Sequence, residues 1–239
     1  GGGTVNVNMV STMPGQSGRV DFTGGSNTLK INGQAYTIIT TLGAPGSTSR
    51  TDLQGINGAL NCACYFALGA NIDASATASW GDSAFGSAIG SGFVPIGHSF
   101  NASDLKMFTG TFDGLGHTIS GLTINRPGSN NVGLFGYTYT TTKIRNIGLV
   151  GVSIEGQSSV GGLVGYNYGT ISQAYATGAI NGNLGGADVG SGGGANIGGL
   201  VGYNDSSGRI SQVYASGAVS GAATVGGLIG YNNHGPISQ

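Results

Sequence analysis

Charge is scarce in this chain of 239 residues: Asp, Glu, Lys and Arg together make up 7% of it, and Glu155 is the only glutamate. An ordinary domain carries about 25%. Long surface helices draw on Glu, Lys and Arg for propensity and for i,i+4 pairs, so a largely helical protein is excluded. The formal net charge of −1 supplies no basic footprint, which argues against nucleic acid and against anionic membrane surfaces as partners. Proline totals 5 and the glycines keep no three-residue period, so collagen is excluded. No apolar run approaches the roughly 18 residues of a membrane span, and no membrane insertion is expected. The chain opens on Gly1-Gly2-Gly3 with no basic n-region; the expectation is a mature or excised piece without a signal peptide.

Glycine fills the gap, with 50 residues, about one in five. In a helix interior each would cost about 1 kcal/mol relative to Ala, so strands and turns must carry the fold. A hydrophobic fraction of 38% and a mean hydropathy of +0.11 are the opposite of a disordered composition. The octet [Val/Ile]-Gly-Gly-Leu-[Val/Ile]-Gly-Tyr-Asn occurs at Val160–Asn167, Ile197–Asn204 and Val225–Asn232. Ile-Ser-Gln follows each time, at Ile171–Gln173, Ile210–Gln212 and Ile237–Gln239, and a degenerate copy spans Val132–Tyr137. From Gly133 to Gly162, Gly199 and Gly227 the steps are 29, 37 and 28 residues; the long step reflects a Gly-rich insertion around Asn181–Asn196, read as a protruding loop.

Short β-favouring pieces separated by Gly and Asn turns at constant spacing predict successive coils of a parallel β-solenoid, each burying its apolar face on its neighbours. Gly162, Gly165, Gly199, Gly202, Gly227 and Gly230 are expected to supply positive φ at corners and close backbone approach. Leu163, Leu200 and Leu228 should stack as one internal ladder and Ile171, Ile210 and Ile237 as another. Tyr166, Tyr203 and Tyr231, with Asn167, Asn204 and Asn232, complete the repeating set. The chain stops midway through its last repeat, which would expose an unpaired edge; a fragment of a longer array is expected.

The first half reads as a lead-in to the same stack. Strands are expected at Arg19–Phe22, Thr28–Asn32, Ala35–Thr40, Tyr65–Ile72, Phe93–Ile96, Gly110–Phe112, Thr118–Ile119 and Leu122–Ile124, with Gly24-Gly25, Asn32-Gly33, Asp113-Gly114 and Ser120-Gly121 as turns. Ser49–Leu60 predicts one short helix capped by Ser49 or Thr51, with Leu53, Ile56 and Leu60 on one face, flanking the stack or covering its edge. Ala74–Gly92 reads as a loop excursion. The whole is one continuous unit: residues 1–47 as N-terminal strands, 48–131 as helix, loop and irregular coils, and 132–239 as repeats.

Gly162-Leu163-Val164-Gly165-Tyr166-Asn167 and its two copies resemble the GLUG motif of large bacterial surface proteins. The run Phe108–Ile124, continuing to Gly133–Tyr137, is similar to the segment before those motifs in filamentous-haemagglutinin-like exoproteins, and Asp52–Gln54, Phe66–Leu68 and Asn71–Ser75 resemble the same group. The resemblance covers about Val20 to Gln239. It implies an all-β fold, a right-handed parallel β-helix, in a secreted or cell-surface adhesin or biofilm-matrix protein exported through an outer-membrane secretion partner. The Asn-Pro-Asn-Gly motif of the conserved secretion domain is not in this sequence, so the export signal would lie upstream.

Chemistry is thin. Catalysis on a β-helix needs paired carboxylates or an acidic cluster, and Asp21, Asp52, Asp73, Asp82, Asp104, Asp113, Glu155, Asp188 and Asp205 are scattered. Asp113-Gly114 reads as a turn, with His117 satisfying a turn carbonyl; His98 and His234 form no metal-ligand spacing. Asp188, after Gly185-Gly186-Ala187, does not repeat as calcium nonapeptides do, and Thr138–Thr142 lacks the recurrence of an ice-binding face. No metal, cofactor or catalytic residue is expected. Trp80, in the loop excursion, is a candidate for stacking on sugars, with the tyrosines read as ladder. Cys62 and Cys64 suit either a bridge in a turn or two free thiols. The expectation is a non-enzymatic structural or adhesive segment, mediating cell adhesion or biofilm and filament formation through surface glycans, matrix polysaccharide or self-association. The alternatives are a carbohydrate-active β-helix domain, acting as lyase or hydrolase, and a pure spacer.

Overall fold

A computed structural model describes residues 4–7, 20–22, 27–81, 90–98, 106–183, 195–222 and 224–239. Gly24-Gly25, Asp82, Asp104, Asp188, most of Ala74–Gly92 beyond residue 81 and most of the Asn181–Asn196 insertion lie outside them. The described part is all-β. In the repeats the chain alternates one long strand with two short ones, and each strand pairs in parallel with its counterpart one repeat on, which gathers the strands into three stacks.

The first stack runs through Gln34–Ile39, Tyr65–Leu68, Thr111–Asp113, Lys143–Gly156, Thr170–Gly182, Arg209–Ser216 and Ile237–Ser238. The second holds Asn130–Val132, Ser158–Gly161, Asn196–Gly198 and Thr224–Gly226, and the third Phe135–Tyr137, Val164–Asn167, Val201–Asn204 and Ile229–Asn232. Registration is residue on residue. Phe66, Phe112, Ile144, Ile171, Ile210 and Ile237 form one column; Val132, Val160, Ile197 and Val225 form another. The expected leucine ladder forms through the backbone: Leu163 N–H donates to Leu200 C=O and Leu200 N–H to Leu228 C=O, both at 2.9 Å. Strand register is strongly specified here because a one-residue slip would carry these columns out of the core.

The core is graded along the stack. Phe66, Phe93, Phe108, Phe112, Phe135 and Trp80 fill its N-terminal end, while branched aliphatics fill the repeats. A smaller cluster of Leu29, Ile31, Tyr36, Ala67 and Leu115 lies apart from it. It is built by the antiparallel hairpin of Thr28–Ile31 and Gln34–Ile39, whose turn at Asn32 (φ 50°) and Gly33 (φ 81°) matches the Asn-Gly signal.

Several local expectations are corrected. The helix expected over Ser49–Leu60 is a 3₁₀ segment, Gln54–Ala59, without a side-chain N-cap. Asp52 takes the capping part: its carboxylate accepts from Gly55 N–H at 2.6 Å and from the hydroxyls of Ser47 and Ser49. The segment is drawn into the core through Leu53, Ile56 and Ala59, and Gln54 brackets Val94, accepting its N–H at 3.0 Å and donating to its C=O at 3.1 Å. A second 3₁₀ segment, Ser75–Ser79, occupies the start of the expected excursion. Tyr65–Ile72 divides into Tyr65–Leu68 and Ile72–Asp73, and Phe93–Ile96 forms no strand beyond a bridge from Ile96 to Phe135. Val20–Phe22 is irregular.

Candidate functional site

The repeat motif is first of all a packing device. A Cβ on Gly165, Gly202 or Gly230 would lie 2.5 Å from the backbone nitrogen of Val132, Val160 or Ile197 respectively. The third stack thus touches the second backbone to backbone, and only glycine fits. Positive φ is supplied outside the motif, by Gly151, Gly178 and Gly217 at 63°, 130° and 129° as well as by Asn146, Gln173 and Gln212 at 55°, 51° and 51° and by Asn131 and Ser159 at 57° and 52°. The two tasks expected of glycine are thus divided: motif glycines allow the close approach, and glycines outside the motif share the corners with Asn, Gln and Ser.

Two polar columns follow the motif. Asn167 Nδ2 donates to Asn204 Oδ1 and Asn204 Nδ2 to Asn232 Oδ1, each at 2.8 Å, and Thr138 Oγ1 donates to Asn167 Oδ1 at 2.9 Å. Each amide also donates to a nearby carbonyl, that of Gly169, Gly208 or Gly235. Buried carboxamides are therefore satisfied by their neighbours in the stack. Beside them Tyr137, Tyr166, Tyr203 and Tyr231 stack with centroids 5.0, 4.3 and 5.3 Å apart. Burial, and then Tyr168, pushes the hydroxyls of Tyr137 and Tyr166 well above the ordinary phenol range; burial also raises Tyr203.

The residues singled out for chemistry are engaged by their neighbours. The Trp80 indole is buried in the main core and stacks on Phe93 with centroids 6.3 Å apart, a correction to its reading as a loop residue available for stacking on sugars: a large apolar ring gains by leaving water. Asp113 is buried, accepting from Arg145 Nε at 2.7 Å, Asn146 Nδ2 at 3.0 Å and Leu115 N–H at 2.9 Å. His117 lies with Nε2 2.9 Å from Val20 C=O and Nδ1 3.3 Å from Asn71 Oδ1. Cys62 and Cys64 are joined in a disulfide. Among the described residues no three His, Cys, Asp or Glu side chains gather as a metal site would need.

A groove of about 310 Å³ opens on the first stack, among Asn146, Gly148, Gln173, Tyr175, Gln212 and Tyr214. Gly148 leaves room for the Tyr175 ring, which a Cβ there would strike, and Tyr175 stacks on Tyr214 at 4.8 Å with the rings 4° from parallel. Asn146, Gln173 and Gln212 occupy one place in three successive strands, bracketed by the pairs Ser172–Ser211 and Ala174–Val213. The signal for this groove was in the sequence: Ile-Ser-Gln-x-Tyr stands at Ile171–Tyr175 and Ile210–Tyr214, but the apolar periodicity drew attention to the isoleucines. A second groove, also of about 310 Å³, lies beside it along the same strand, lined by Tyr36, Tyr65, Thr111, Lys143 and Arg145.

Against this geometry the comparisons take their place. Residues 156–181 and 193–220 match the GLUG motif. Each match begins just before a strand of the second stack and runs through the third into the next long strand, so one motif is one step of the registration just described. Over 138 residues, 56% of the chain, the sequence is 43% identical to halomucin of Haloquadratum walsbyi, and covers 1% of that protein. Over 85 residues, 34% of the chain, it is 40% identical to a protein of Evansella cellulosilytica named as a Gly-rich membrane protein, and covers 9% of it. The chain thus spans a small part of the length of either relative. No solved structure matches. No helix among the described residues is long and apolar enough to cross a membrane.

Proposed function

We propose that this chain is a non-enzymatic structural and adhesive segment of a very long surface-associated or extracellular protein, built as a right-handed parallel β-helix. The observation that carries the reading is the residue-on-residue registration of the three parallel stacks, with the Asn167–Asn204–Asn232 and Tyr166–Tyr203–Tyr231 columns running through it. Such a stack transmits load along its axis through backbone ladders, and each repeat lengthens the rod by about 4.8 Å. Parallel crossovers within one sheet favour the right hand. The surface setting rests on the GLUG motifs and on relatives named halomucin and Gly-rich membrane protein. Asp113, Asp52 and His117 are each engaged by neighbouring backbone and side chains, as a structural role would have them. Partners of stated kind are matrix or surface glycans and further copies of the chain.

Two measurements on the purified chain test this. Small-angle X-ray scattering is expected to show a rod of constant cross-section, and beads coated with the chain should adhere to one another or to cell surfaces above an albumin-coated control. A globular scattering profile sinks the β-helix; adhesion no greater than the control sinks the adhesive role. Release of new sugar ends from a polysaccharide panel would overturn the non-enzymatic reading in favour of a lyase or hydrolase.

A further inference from the structure

We propose that the groove beside Tyr175 and Tyr214 is a binding site for a neutral, extended polysaccharide laid along the axis of the stack. Gln173 and Gln212 sit at φ 51°, a conformation that glycine adopts freely and glutamine does not. In a chain with 50 glycines, glycine would make the same bend without strain, yet a carboxamide stands there in successive strands. An observed outlier of this kind points toward use of the side chain.

The side chains are also available. Among the described residues the Gln173 and Gln212 carboxamides make no hydrogen bond within the chain, in contrast with Asn167 and Asn204. Asn146 donates through Nδ2 to Asp113, which leaves its amide oxygen as an acceptor. Each free carboxamide offers both donors and an acceptor, the set that vicinal hydroxyls require. The stacked rings of Tyr175 and Tyr214 line the same groove, with the apolar surface and polar tip that suit a sugar ring.

Spacing and charge select the ligand. Tyr175 and Tyr214 repeat at 4.8 Å, the spacing of the strands themselves, so an extended polymer lying along the axis meets one tyrosine per strand. Asn146, Gln173, Gln212, Tyr175 and Tyr214 carry no formal charge at neutral pH, and His117, which also lines the groove, is buried with its ring nitrogens beside Val20 C=O and Asn71 Oδ1, which favours an uncharged glycan over a uronate or sulfate polymer. The cationic groups Lys143 and Arg145 line the neighbouring groove instead. The proposal rests on the reading above that glycans are partners and gives them a site; scattering and bead adhesion test that reading without reference to this groove.

The experiment is native affinity electrophoresis of the whole chain through gels containing dextran, mixed-linkage β-glucan, xylan or galactomannan, with alginate and polygalacturonate as anionic comparators. Retardation by at least one neutral polymer is expected. It should weaken by about tenfold in affinity in Gln173→Ala and in Tyr214→Ala, the scale of one lost side-chain contact, while Lys143→Ala, in the adjacent groove, leaves it unchanged. Melting curves confirm that each variant is folded. No retardation by any neutral polymer overturns the proposal. Equal retardation of folded Gln173→Ala and Tyr214→Ala overturns the site, and retardation by the anionic polymers alone overturns the ligand class.

Discussion

Glycine at the repeat positions is tied to contact, and the contact differs from one glycine to the next. A Cβ at Gly202 would press into the backbone at Ser159 and Val160, whereas nothing lies within 4 Å of one at Gly227. Gly202→Ala should therefore destabilise the chain by about 1–3 kcal/mol, the range for overpacking a tight interior, and Gly227→Ala by no more than about 0.5 kcal/mol. Urea denaturation midpoints measure the difference; equal shifts would show that conformational freedom, and not contact, sets the choice. Asn204 makes the complementary case for a polar residue. Its amide joins Asn167 to Asn232 and donates to Gly208 C=O. Asn204→Leu leaves those buried groups without partners and should cost at least about 2 kcal/mol; a midpoint unchanged from that of the parent chain would show the amide column to be dispensable.

At the scale of elements, the tyrosine column links stacking to pH. Burial raises the hydroxyls of Tyr137, Tyr166 and Tyr203 above their ordinary value, so the folded stack holds the neutral form more tightly than the unfolded chain does. A group whose folded pKa is raised contributes stability that is fully present below the unfolded pKa, about 10 for tyrosine, and is lost as pH climbs beyond it toward the folded value. The melting temperature should accordingly be flat with respect to this column from pH 7 to 9 and fall above pH 10, with phenolate absorbance from the column appearing together with unfolding. Phenolate absorbance from all ten tyrosines near pH 10 in a chain that stays folded would refute a closed column. The 3₁₀ segment Gln54–Ala59 shows how an element is decided by its neighbours: Leu53, Ile56 and Ala59 have a helical spacing, but the Asp52 bonds and the Gln54 bracket on Val94 hold a tighter, shorter turn.

For the whole molecule, cohesion is apolar and backbone-borne. One short ion pair, Arg145 to Asp113 at 2.7 Å, stands among the described residues with both partners formally charged at neutral pH. With charged residues only 7% of the chain, screening has little to act on, and the melting temperature should move by less than about 3 °C between 50 and 300 mM NaCl; a larger fall would reveal electrostatic cohesion. The repeating glycines, leucines and isoleucines made the parallel registration legible in advance, because a residue type recurring at constant spacing has to meet itself when the repeats stack. The tyrosine ladder followed from the same regularity. The groove was less legible: Gln173 and Tyr175 are unremarkable in a string of letters, and their meaning depends on the left-handed bend that aims them at one side. Trp80 was misplaced because sequence distance from a strand does not report which side of the core a loop closes. The amino-acid sequence by itself thus determined the β class, the repeat length and the inward columns, all of which follow from local composition and period. The tertiary structure alone decided which glycines touch backbone, where the strained amides point, and which aromatic rings are buried. Those outcomes depend on chain segments far apart in sequence arriving at the same place.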